Sequence, residues 1–279
     1  MDTKIATNDP TTFSIEVMPR TAKKIDDFRR ILPKKTTVYV AHLEDTPIEE
    51  MFFTCKRLIS EEMSPMPHIP ARIIHNKVEL EDWVKEYSSL GVNQSLLLAG
   101  NGKTPKGELF NSIQMLETGI FEKHAFKNIQ IAGHPEGNRD IDKDGSLEKT
   151  INALKAKQKF ALSTKLKIGI TTQFCFDLRP VIEWLKVLER EQIDLPISLG
   201  LAGPTRLQTL IKYAIMCGVG PSVSVLKKRA KDLTKLLLPF EPTEMVETLN
   251  SYKKNELFKN LHSLHFFPLG GIEASAAFA

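Results

Sequence analysis

The feature that most constrains this chain is an alternation. Short apolar runs rich in β-branched residues recur, each followed by a longer stretch with helical spacing of its apolar side chains. The runs predict strands at Phe13–Val17, Val38–Leu43, Ile69–Ile74, Ser95–Gly100, Ile129–His134, Ile168–Phe174, Ile197–Ala202 and His262–Phe267. Between them, Ile48–Glu61 carries Met51, Phe52, Cys55, Leu58 and Ile59 on one stripe. Leu80–Leu90 does the same with Trp83, Val84, Tyr87 and Leu90, and Val181–Leu188 with Ile182, Leu185 and Leu188. These are the spacings of helices laid on a sheet. Strand and helix in strict alternation predict parallel βα units. About eight of each in 279 residues predict an α/β chain folded as a single (βα)8 TIM barrel spanning residues 1–279. An open doubly wound sheet is the runner-up, but no GxGxxG follows the first strand. Within Ser222–Tyr252 two helices are expected, broken near Pro239-Phe240-Glu241-Pro242.

Composition removes several classes of function. Hydrophobic residues make up 42% and charged residues 26%, and 38 basic against 34 acidic side chains leave a net charge of only +4. Such a mixed surface demands neither nucleic acid nor membrane, and Lys227-Lys228-Arg229 reads as a solvated helix face. Cys55, Cys175 and Cys217 form no CxxC pair, which argues for a reducing compartment and against disulfides or structural zinc. No apolar leader and no run near the ~18 residues of a membrane span is present. A cytoplasmic protein is expected.

In such a barrel the chemistry gathers where strands end. The strand ends present Glu16, His42, His75, Gly100-Asn101-Gly102, His134, Gln173 with Asp177 beyond, Gly203-Pro204-Thr205 and Pro268 to Gly271. Glu16 interrupts an apolar strand between Ile15 and Val17. A carboxylate turned into a barrel mouth loses solvent, which raises its pKa and suits a general acid; a surface Glu, or one paired with a buried Arg or Lys, is the alternative. Gln173, among Thr171, Thr172, Phe174 and Phe176, can donate and accept toward a heterocycle or satisfy backbone groups at the strand end. The stretch Ala99–Gly102 lets a flat ring or phosphate approach the backbone. The histidines lack ligand spacing, so no metal centre is expected.

At these strand ends the chain resembles the methylenetetrahydrofolate reductase family. Phe13–Thr21 (FSIEVMPRT) is similar to the family's F-E-F-F-P-P-R-T, and Pro67-His68 to its P-H-L-T-C-I. Ala132–Asn138 (AGHPEGN) is similar to A-x-Y-P-E, Ile170–Asp177 (ITTQFCFD) to I-T-Q-F-F-F-D, and His265–Leu269 (HFFPL) to H-F-Y-T-L. The matches run in order along nearly the whole chain. The resemblance implies a barrel that holds FAD and reduces 5,10-methylenetetrahydrofolate to 5-methyltetrahydrofolate with NADH or NADPH, one step in one-carbon metabolism. It implies Glu16 as the general acid and Gln173 as a folate contact, with Tyr213 stacking on the folate. It implies His68, Gly100, Asn101 and His134 as FAD-lining residues and Lys157 near the FAD phosphates. A tetrahydrofolate derivative is then the partner, with a homo-oligomer left open by the exposed barrel helices.

The departures cluster at the cofactor. Ala99-Gly100-Asn101 stands where the family has Arg-Gly-Asp, Ala41 where it has threonine, and Gly271 where it has arginine. A neutral Asn101 beside the flavin implies an easier-to-reduce flavin and a slower hydride donor. A folate-binding paralogue that oxidises methyltetrahydrofolate, lacks flavin or has lost catalysis is the competing expectation.

Overall fold

The computed structural model describes residues 13–100, 104–217 and 239–279. Its strands are β1 (Phe13–Val17), β2 (Thr37–Val40), β3 (Ser64–Pro70) and β4 (Gln94–Leu98). They continue as β5 (Asn128–Gly133), β6 (Lys167–Thr172), β7 (Ile197–Ala202) and β8 (Leu261–Phe267). All pair in parallel and in sequence order, and β8 closes the barrel on β1 through Phe13 opposite Leu264 and Ser14 opposite His265. The expected (βα)8 barrel is the observed fold.

Both faces of each strand are covered, but by different chemistry. Outward residues such as Ile15, Val38, Leu97, Ile131, Ile170 and Leu199 belong to one buried apolar cluster shared with the surrounding helices. The helix Ile48–Ser60 adds Met51, Cys55 and Leu58, and the helix Leu178–Arg190 adds Val181, Trp184, Leu185 and Leu188, each at three- and four-residue spacing. Asp177 caps the latter helix by accepting from Arg179 N at 3.0 Å, so this strand-end carboxylate has a structural task. The inward faces carry polar groups. Tyr39 and Thr171 join hydroxyls across the barrel at 2.8 Å, Thr171 donates on to Gln130 at 3.2 Å, and Ser198 and Ser263 pair at 2.8 Å. Tyr39, Met66 and Leu96 pack together inside.

The third strand departs from expectation. It runs Ser64–Pro70 rather than Ile69–Ile74, and Ala71–Ile73 form a 3₁₀ turn. Pro65, Pro67 and Pro70 lack N–H donors and hide the strand from propensity. Side chains of β4 bond to their carbonyls: Ser95 donates to Pro67 O at 2.7 Å and Gln94 to Pro65 O at 3.3 Å. The shift moves His68 into the strand and leaves His75 outside, exposed and bonded to Glu79 at 2.8 Å.

After β7, Thr205–Arg206 pairs antiparallel with Pro239–Phe240, and a helix follows at Thr243–Lys254. The second of the two expected helices is thus present beyond the prolines, while Asn101, the Lys227–Arg229 run and the first expected helix lie outside the described residues. No helix among the described residues is long and apolar enough to cross a membrane.

Candidate active site in the barrel mouth

A cavity of about 630 Å³ opens at the carboxyl ends of the strands. Glu16, His68, Gly100, His134, Gln173 and Tyr213 all line it, so six of the residues singled out from sequence converge there. Lys157 does not line it: it is buried on the helix Glu148–Ala161.

Glu16 points inward from β1, its side chain 19% exposed, with Oε2 3.3 Å from Nε2 of His68 and 3.8 Å from Nε2 of His265. Burial pushes its pKa up, but the His265 and His68 rings beside it favour the carboxylate by more and hold it below the usual value. The expected upward shift is therefore corrected: in the open mouth Glu16 is a carboxylate. His68 is held neutral at ordinary pH. Burial, opposed by the charge of Glu16 and aided by His265 and His42, brings it down to about 4. His134 is likewise brought to about 4, by burial and then by the charge of Lys157. Burial pushes the Tyr39 hydroxyl up, and the Glu16 charge adds to it.

Gln173 follows β6 and folds back on the chain, its Oε1 accepting from Phe174 N at 3.0 Å. In this conformation it satisfies strand-end backbone, the plainer of the two expectations, while remaining on the cavity wall. Tyr213 reaches the mouth from the helix Leu207–Met216, held by a rim cluster of Phe174, Ala202, Leu210 and Ala214 with Phe267 and Leu269 against it. Gly100 has φ +88°, and a Cβ there would stand 2.8 Å from Pro70 Cβ, so only glycine suits this wall.

Gly100 presents bare backbone between the histidine-bearing ends of β3 and β5, as a flat ring requires. Burial lowers the Lys157 ammonium to about 8, and no carboxylate pairs with it among the described residues; an anion there would relieve it. It stands close enough to His134 to act on it electrostatically. His68, Gly100 and His134 line the mouth where a flavin would lie, while Lys157 is set back behind the wall.

Two neighbours of Glu16 escaped the sequence reading as site residues. In the sequence His265 stands only within the HFFPL motif, and Tyr39 only within a strand run. The usable signal was period two: Ser14 and Glu16, Met66 and His68, Ser263 and His265 are alternate residues facing one interior.

No protein-family model matches the chain. Its fold is similar to that of an uncharacterized Clostridium thermocellum protein that binds two copies of 5-methyl-5,6,7,8-tetrahydrofolic acid, with a TM-score of 0.58 and 12% identity over 96% of this chain and 93% of that one. Yersinia pestis DHPS in complex with a pterine-sulfa conjugate gives 0.48 and 10% over 96% and 93%. A phosphonopyruvate hydrolase gives 0.48 and 8% over 96% and 79%. At these identities the likeness to the first extends to the barrel fold.

Proposed function

We propose that the barrel mouth binds a tetrahydrofolate derivative and that the chain reduces 5,10-methylenetetrahydrofolate to 5-methyltetrahydrofolate with NAD(P)H. The observation that carries this reading is the inward carboxylate of Glu16, beside His68 and His265, in a largely apolar cavity also lined by Gln173 and Tyr213. Opening the five-membered ring of the substrate breaks the bond between the methylene carbon and N10, and N10 needs one proton. A ligand stacked over the mouth removes the remaining exposure of Glu16, which drives its pKa up and turns the resting carboxylate into the donor. Rotation of Gln173 away from Phe174 N frees its amide for a pterin edge, and the Tyr213 ring offers a stacking face. His68, Gly100 and His134 would hold FAD, which supplies hydride transfer from NAD(P)H to the methylene carbon when bound.

A second reading, a folate-binding barrel without flavin, is favoured by the position of Lys157 behind the wall. The Clostridium thermocellum protein of the same fold, with its two bound folates, supports a folate in either case. The purified protein's spectrum separates the two: a flavin absorbance band together with methylenetetrahydrofolate-dependent NAD(P)H oxidation is expected. A colourless protein that binds 5-methyltetrahydrofolate without turnover selects the second reading. Absence of any folate binding overturns both.

A further inference from the structure

Ser14 and His265 face each other in the β1–β8 register, and Ser14 Oγ lies 2.9 Å from His265 Nδ1. His265 is fully buried, its ring 4.3 Å from that of Tyr39 and edge-on to Phe267 at 4.8 Å, between centroids. Its second nitrogen has no hydrogen-bond partner and faces Glu16 Oε2 at 3.8 Å. That gap is long in the open mouth and closes with a small rotation of the Glu16 side chain, as such contacts tighten when a ligand covers them.

Neither partner of this contact has a fixed direction, because a serine hydroxyl donates or accepts and a neutral imidazole has two tautomers. When Ser14 donates to Nδ1, the ring hydrogen is on Nε2 and is offered to a Glu16 carboxylate. When Nδ1–H donates to Ser14, Nε2 is a bare acceptor and takes the hydrogen of a protonated Glu16. We propose that Ser14 and His265 form a tautomer adapter for Glu16, giving its carboxylate and its carboxylic acid each a matching partner inside the barrel. His265 is thus a positioning residue that holds the acid ready in either state.

The balance is simple. Passing from the first state to the second takes up one proton, which is carried on Glu16, while the imidazole exchanges its hydrogen from Nε2 to Nδ1 and stays neutral. Giving that proton to a bound ligand restores the first state. The other titratable groups around Glu16 are His68 on β3, with His42 acting on it, and Tyr39 on β2; Cys217, at the end of the helix Leu207–Met216, feels its charge. None has this two-faced contact, since His68 meets Glu16 at 3.3 Å without aligned hydrogen-bond geometry.

The adapter rests on the reading of Glu16 as the acid, yet its test needs no folate. In ligand-free protein with 15N-labelled histidine and 13C-carboxyl-labelled glutamate, the His265 ring nitrogens and the Glu16 carboxyl are followed through a pH titration. The Glu16 signal is assigned by its loss in Glu16→Gln. The His265 signals are assigned by their loss in His265→Phe or, where that variant does not fold, by their displacement in Ser14→Ala. The expected result is an Nε2–H tautomer above the Glu16 midpoint, an Nδ1–H tautomer below it, one shared midpoint, and no exchange in Glu16→Gln. A single tautomer throughout, or an imidazolium forming at the Glu16 midpoint, overturns the adapter. A tautomer exchange in a protein that binds no folate keeps the adapter and removes the function; folate turnover with a single tautomer does the reverse.

Discussion

Glu16 Oε2 lies 3.3 Å from His68 Nε2, although the two residues belong to strands that are not neighbours: β2 runs between β1 and β3. The contact exists because alternate residues of a closed barrel point at a common axis, so side chains meet across a strand they skip. It joins a carboxylate to an imidazole held neutral by burial, a pair whose protons respond to what covers the mouth.

Glu16→Gln keeps the size and removes the proton. Methylenetetrahydrofolate-dependent NAD(P)H oxidation is expected to fall by about 10²–10⁴-fold, while 5-methyltetrahydrofolate binding, read by calorimetry, changes little. Turnover at the wild-type rate would remove Glu16 from the chemistry.

Acid should destabilise the fold earlier than carboxylates alone dictate. His68 and His134 have folded values of about 4, against about 6.5 when unfolded. As pH falls through this window the unfolded chain binds protons that the folded chain refuses, so their contribution is complete above about 6.5 and is lost toward 4. Glu16, also depressed, acts in the same direction at lower pH. Urea midpoints should decline steadily from neutral pH to pH ~5, less so in His134→Asn. A flat profile over that range contradicts the burial of both rings.

Lys157→Met separates stability from binding. Removing a desolvated ammonium that has no carboxylate partner should raise the ligand-free melting temperature, by the equivalent of ~1–3 kcal/mol. Flavin affinity, measured by fluorescence quenching, should change little, because Lys157 does not line the mouth. A lower melting temperature would show that the lysine is satisfied in the ligand-free fold.

Gly100→Ala places a Cβ 2.8 Å from Pro70 Cβ at a residue with φ +88°. A loss of ~1–3 kcal/mol is expected by chemical denaturation, with weaker ligand binding at the mouth. Unchanged stability would mean that the segment after β4 relaxes freely.

Legibility varied with the kind of signal. β1 and β7 match their expected ranges to the residue, because their apolar residues alternate at the strand period. β3 slipped, because its three prolines read as a loop and the side chains that donate to its carbonyls, Gln94 and Ser95, come from the next strand. Glu16 stood out by polarity alone. His265 did not, since a histidine within HFFPL looks like any core aromatic until Ser14 is found opposite it.

The amino-acid order by itself determined the alternation of strand and helix, the eightfold count and the polar residues at the strand ends, all of which are local periodicities. Only the closed barrel decided the ionisation of Glu16. Burial alone raises a carboxylate, and the sign was reversed by two imidazoles from β3 and β8, brought within 4 Å by a closure that joins residues about 250 positions apart in the chain.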